Sequence, residues 1–169
     1  MRFTTLVFLL CISIGSTNLA AAFCFEEAGN RYGISPHLLY AISKGESSFN
    51  PLAINYNSNG TYDYGLMQIN SSWESALRKL GISWNSIADP CTNVMVGAWV
   101  LSQCIRDYGY SWSAVGCYNS RTPSKRDRYA ARIARIVNQN EQRNLLPVQV
   151  ASAIKVATPW EEAFGHESR

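Results

Sequence analysis

AISKGESSFNP, residues 41–51, joins a helix to a turn. The helix opens at SPHLLYAI, with Ser35 in N-cap position and Pro36 at the first helical position, a good start signal. Glu46 follows Ile42 and Leu39 at helical spacing, so the three share one face. A carboxyl group on an apolar stripe, at the end of a helix, has three reasons to hold its proton. The apolar face desolvates it, the helix end carries partial negative charge, and Asp63 is placed to approach across the following loop. An acid kept protonated near neutral pH is what cleavage of a glycosidic bond needs, because the leaving oxygen must receive a proton. On position alone, a structural glutamate is the commoner outcome. The rest of the chain has to decide.

The chain has 169 residues, enough for one domain with a real core but not comfortably for two. It is 47% hydrophobic and 16% charged, which argues against wholesale disorder. The formal net charge of +3 is too small to imply a nucleic-acid partner. Residues 1–22 read as a signal peptide: Arg2, an apolar run from Leu6 to Ile14, then Ala20-Ala21-Ala22 before the expected cleavage point. The run is too short for an ordinary membrane span. The mature protein is therefore expected to start near Phe23 and to be exported, to the periplasm.

Export changes the meaning of cysteine. Cys11 leaves with the signal, and Cys24, Cys91, Cys104 and Cys117 remain. An even number in an oxidising compartment suggests disulfides, but four cysteines allow three pairings and the sequence does not choose. No C-x-x-C spacing is present, and His37 and His166 have no partner pattern, so neither a metal nor a cofactor is expected.

The periodicities are helical. CFEEAGNRYG reads as a short helix ending at Gly33, and SSWESALRKLG as a helix with a capping box at Ser71 or Ser72. DPCTNVMVGAWVLSQCIRDYG is long and apolar, the pattern of a central buried helix, and SWSAVGCYN is a shorter one. SKRDRYAARIARIVNQN carries Tyr129, Ile133, Ile136 and Val137 on one face, with its arginines read as a solvated face. Between them, SSFNPLAINYNSNGTYDYG is an Asn-rich loop with room for a small β-hairpin. The expected architecture is mainly α. A catalytic domain is expected over 23–137 and a partly flexible appendage over 138–169, where Pro147 and Pro159 interrupt the apolar pieces.

ESSFNP, then YGLMQIN, then AVGCYN resemble, in order and spacing, the lytic transglycosylases with a lysozyme-like fold of the goose-lysozyme superfamily. The look-alikes nearest in pattern are the small specialised enzymes of secretion, conjugation and pilus systems. The resemblance covers roughly residues 24–137. It implies that Glu46 is the general acid/base with Ser47 beside it, and that Gly65-Leu66-Met67-Gln68 lies along the sugar-binding groove. It also implies that Tyr118, Asn119 and Tyr129 flank the acid. Asp63, before the G-L-M-Q segment, and Asp89-Pro90-Cys91 match the specialised subgroup. Together with export and the position of both residues at helix starts, that match implies a Cys24–Cys91 disulfide. Cys104 and Cys117 are left either as a second bridge or as two buried thiols. The family usually reads Ala-Tyr-Asn-Ala-Gly where this chain has Cys117-Tyr118-Asn119-Ser120-Arg121. Arginine tolerates positive φ poorly, which leaves the following turn open.

The implied substrate is the glycan strand of peptidoglycan, and the implied product carries a 1,6-anhydromuramyl end. Asp63 is a candidate for stabilising charge at the anomeric carbon, or else only shapes its loop. A goose-type hydrolase of the same bond and an inactive glycan-binding assembly protein are the alternatives, and intact Glu46 argues against the second. A monomer is expected, with a subunit of a secretion or conjugation apparatus as a candidate partner.

Overall fold

The computed structural model describes residues 23–145. The expected leader and the appendage beyond residue 145 lie outside the described residues. Six α-helices and a small sheet are described: α1 (Phe25–Tyr32), α2 (Pro36–Ser47), β1 (Ile54–Tyr56), β2 (Tyr62–Tyr64), β3 (Ile69–Asn70), α3 (Glu74–Lys79), α4 (Pro90–Tyr108), α5 (Trp112–Asn119) and α6 (Pro123–Leu145). Short 3-10 turns at Ser71–Trp73 and Trp84–Ala88 lead into α3 and α4. The last helix runs on through Asn138, where the sequence periodicity weakens.

The long apolar helix is central, as its composition demands. α4 begins at Pro90, its N-cap Asp89 accepting from the Thr92 amide at 2.7 Å. It buries Val94, Val96, Ala98, Val100 and Leu101 in one core with Phe25, Leu38, Leu39, Ile42 and Ile133. Two of the expected caps work differently. Ser35 occupies its N-cap position without a side-chain hydrogen bond. The Ser71–Trp73 turn is capped by Asn70, which accepts from the Ser72 amide, rather than by a serine.

The Asn-rich loop forms more than a hairpin. β1 and β2 pair antiparallel, and β3, part of YGLMQIN, adds a third strand on the other side of β2. The register sets Asn55 opposite Asp63 and Asp63 opposite Asn70. One row across the sheet is therefore Asn, Asp, Asn. The β3 strand is only two residues long, too short to leave an alternating pattern in the sequence.

Asn93 connects this sheet to the core. It is 1% exposed, within the apolar run of α4. Its Oδ1 accepts from the Met67 amide at 2.8 Å, and its Nδ2 donates to the carbonyls of Tyr64 and Ile87. Gly65 makes room for it: φ is +80°, and a Cβ there would stand 2.3 Å from Asn93 Nδ2. Replacing Asn93 by alanine would leave a buried amide and two carbonyls without this partner. The expected loss is about 2 kcal/mol in urea unfolding, with loosening of the 65–68 turn. An unchanged midpoint would show that Asn93 does not fasten the turn.

Both cysteine pairs are bridged. Cys24–Cys91 ties the start of α1 to the start of α4 across 67 residues, and Cys104–Cys117 ties α4 to α5 across 13. Among the described residues the one group of metal-ligating type is Cys24, Glu27 and Cys91, and the bridge leaves it no thiolate.

Candidate active site

α2 ends because the chain turns left-handed after it: Ser48 has φ +54° and Phe49 φ +67°. Glu46 therefore sits in the last helical turn. Gly45 lets α6 come close, since a Cβ there would meet Ile133 Cδ1 at 2.7 Å. That approach sets Tyr129 of α6 beside the acid, and its hydroxyl donates to Glu46 Oε1. Arg132, one turn on, places Nη2 3.6 Å from the same oxygen. It is held by a bond from Nη1 to the Gly45 carbonyl at 2.8 Å and lies over the Tyr129 ring at 4.9 Å.

The Glu46 side chain is 13% exposed. Burial pushes its pKa above the ordinary carboxylate value; the Tyr129 bond and the Arg132 charge oppose the rise, and the Asp63 charge adds to it. Burial is also the main reason that Tyr118 and Tyr129 are held well above the ordinary phenol value, with the Glu46 charge next. Both phenols keep their protons and act as donors.

A cleft of about 800 Å³ opens above this group. Glu46, Asp63, Gln68, Tyr118 and Asn119 all line it, together with Asn55, Asn57, Asn70 and Trp73. Asp63 is held by three side-chain amides: Asn70 Nδ2 donates at 2.7 Å, Asn57 Nδ2 at 3.0 Å and Asn55 Nδ2 at 3.4 Å. Gln68 Nε2 donates to the carbonyls of Gly65 and Ala53. The Tyr118 hydroxyl donates to the Met67 carbonyl at 2.7 Å. Trp73 packs edge-on against Trp99, ring centroids 5.2 Å apart.

Met67 requires a correction. It was expected along the groove, but it is 0% exposed, and the backbone around it is what shapes the wall. Ser47 donates to the Leu66 carbonyl at 2.9 Å, which fastens the end of α2 to the same turn. Tyr129 is buried, with its hydroxyl on Glu46 rather than free in the cleft. The turn after Asn119 needs no glycine: Arg121 is absent from the non-glycine residues with positive φ, and its guanidinium bonds Asp107 at 2.6 Å.

Three contributors escaped the sequence reading. Asn93 and the amides around Asp63 left no signal, because nothing in the chain announces that the 55, 63 and 70 positions align. Arg132 did leave one. It is three residues after Tyr129 and four before Ile136, so helical spacing puts it at the edge of the buried stripe, within reach of α2 although its side chain is 47% exposed.

The Tyr129 bond makes a checkable statement. Tyr129→Phe removes an influence that lowers the Glu46 pKa, so the pKa rises further. An acid that must be protonated then stays active to higher pH, and the alkaline limb of the pH–rate profile should move up. The orienting bond is also lost, and a fall in kcat of about tenfold is expected. A profile that stays in place would remove Tyr129 from the proton chemistry.

Against known proteins, residues 23–142 match the Transglycosylase SLT domain. The chain is 44% identical to the Invasion protein IagB of Salmonella typhimurium, over 79% of this chain and 84% of that protein. It is 40% identical to Protein IpgF of Shigella flexneri, over 82% of this chain and 95% of that one. Among solved structures, an inactive mutant of the lytic transglycosylase Slt from Pseudomonas aeruginosa superposes with a TM-score of 0.60 at 19% identity. That match covers 76% of this chain but 25% of the other, and at such identity it is a likeness of fold. The fold so matched is mainly helical and lysozyme-like, with its small antiparallel sheet.

Proposed function

The chain belongs to the transglycosylase SLT family, whose members cleave glycosidic bonds in peptidoglycan, and we propose that it does so with Glu46 as the one proton-transferring residue. The observation that carries this is the placement of Glu46. It is a largely buried acid, bonded by a phenol, on the wall of a polar cleft whose lining also includes an amide-held carboxyl group.

Glu46 gives its proton to the glycosidic oxygen as the bond from the anomeric carbon to that oxygen breaks. The 6-hydroxyl of the same muramyl residue then bonds to the anomeric carbon and loses its proton to the Glu46 carboxylate. No water enters, the acid ends as it began, and the product is a 1,6-anhydromuramyl end. The Tyr129 bond and the Arg132 charge both favour the carboxylate that exists between the two steps. Asp63 supports the positive charge at the anomeric carbon, its orientation fixed by Asn55, Asn57 and Asn70.

Product mass tests the reading. Digests of purified sacculi should contain muropeptides lighter by one water than those from hydrolysis. Products carrying the added water would make the chain a goose-type-like hydrolase instead. A second measurement addresses Asp63. Asp63→Asn is expected to lower kcat by about 10²-fold with little change in KM. If activity per folded molecule holds while stability falls, Asp63 only shapes the sheet.

The setting belongs to the same proposal. Residues 1–22 export the chain to the periplasm, and it opens the wall locally for an envelope-spanning secretion, conjugation or pilus apparatus. The likeness to a protein named for invasion supports that setting.

A further inference from the structure

Residues 45 and 46 are neighbours in the chain, yet they line different hollows. Glu46 lines the cleft, and Gly45 lines a second concavity of about 320 Å³ between α2 and α6. Its other walls include Tyr40, Lys44 and Phe49 on one side and Arg132, Gln139 and Asn140 on the other. Among the described residues, two cations and two side-chain amides face it, and no carboxylate does. Tyr40 and Phe49 form its aromatic side, ring centroids 4.6 Å apart, and the Lys44 ammonium lies over the Phe49 ring at 5.4 Å. Among the described residues Lys44 has no carboxylate within 4.0 Å. Arg132 belongs to both sites, lining this hollow while its Nη2 stands 3.6 Å from Glu46.

This combination selects a class of ligand. A lysine without a counter-charge, next to an arginine whose charge is shared with Glu46, calls for an anion, and a pair of rings beside it calls for short apolar segments attached to that anion. The volume suits one or two small residues, not a second glycan strand. A nucleic acid would need a continuous basic track, which a hollow with two cations does not provide. In peptidoglycan every second sugar carries a short peptide with free carboxylates, and that sugar is the one whose bond Glu46 would break.

We propose that the hollow between α2 and α6 is a subsite for the acidic peptide stem of the substrate. Lys44 receives a stem carboxylate, with the Arg132 guanidinium at the rim of the hollow adding to the local positive potential, and Tyr40 and Phe49 support the stem's apolar side chains. This rests on the peptidoglycan reading above and extends it: the enzyme reads the peptide as well as the sugar, one residue away from the acid. Lys44 takes no part in the cleft, so its contribution is separable from catalysis.

The test uses glycan strands with their stems and the same strands stripped by an amidase. Wild type should show a KM about tenfold lower for stem-bearing strands. Lys44→Gln should lose that preference by raising KM on stem-bearing strands alone, with kcat and the KM for stripped strands unchanged. If the variant keeps the preference, or weakens on both substrates alike, the subsite is overturned. Cleavage of neither substrate by wild type would instead sink the underlying activity, so the two failures are distinct. An independent readout comes from free stem tripeptide titrated into the wild-type protein. Amide resonances of Lys44, Phe49 and Gln139 should shift, and resonances that stay fixed at millimolar peptide would count against the proposal.

Discussion

Replacing Glu46 with glutamine should lower glycan cleavage by at least about 10²-fold while leaving the fold in place. The amide can neither give a proton to the leaving oxygen nor take one from the attacking hydroxyl. Its carbonyl can still accept the Tyr129 bond, so the local packing has no reason to change. Stability should move the other way. The folded state holds the Glu46 proton more tightly than the unfolded chain does, because burial raises the pKa. The stability linked to this group is therefore fully present below the unfolded carboxylate range and is lost as pH rises through the folded value. Glutamine has no such loss. The variant should unfold at higher urea than wild type at neutral pH, and the gap should close in acid. Activity above about a hundredth of wild type would end the assignment of Glu46, and a gap that widened in acid would contradict the burial argument.

Removing the Cys24–Cys91 bridge should cost about 4 kcal/mol, the unfolded-chain entropy of a loop this long. The bridge closes a loop of 67 residues that contains α1, α2, the sheet and α3. Cys104–Cys117 closes only 13, and its removal should cost about 3 kcal/mol. Neither pair lines the cleft, so activity per folded molecule should hold in the Cys24→Ala, Cys91→Ala double variant. Paired urea titrations with the oxidised wild type measure the difference. A loss smaller than that of the short-loop variant would mean that the long bridge acts on something other than chain entropy.

The contrast between Glu46 and Asn93 shows what the sequence made legible. Glu46 breaks a helical stripe, and any reading of periodicity stops at it. The helices themselves were visible for the same reason, from the Pro36 start to the apolar length of α4. Asn93 sits inside that apolar length without disturbing it, and its three partners come from distant backbone. The third strand was hidden by its two-residue length. Met67 was misplaced because a motif says which residues occur near a groove, not which of them point into it. The Cys104–Cys117 pairing depends on how α4 and α5 cross, which no spacing states.

The bond from Tyr129 to Glu46 spans 83 residues of chain. Glu46 is synthesised early and its phenolic partner late, after the sheet, the central helix and α5. Helices close local contacts quickly, whereas a contact of this separation waits for the intervening chain to be ordered. A nascent chain ending before Pro123 would already carry the acid, Asp63 and the amides that hold Asp63, but neither the Tyr129 hydroxyl nor the Arg132 charge that act on Glu46. The bond that tunes the acid is thus among the contacts that wait for α6 to pack on α2.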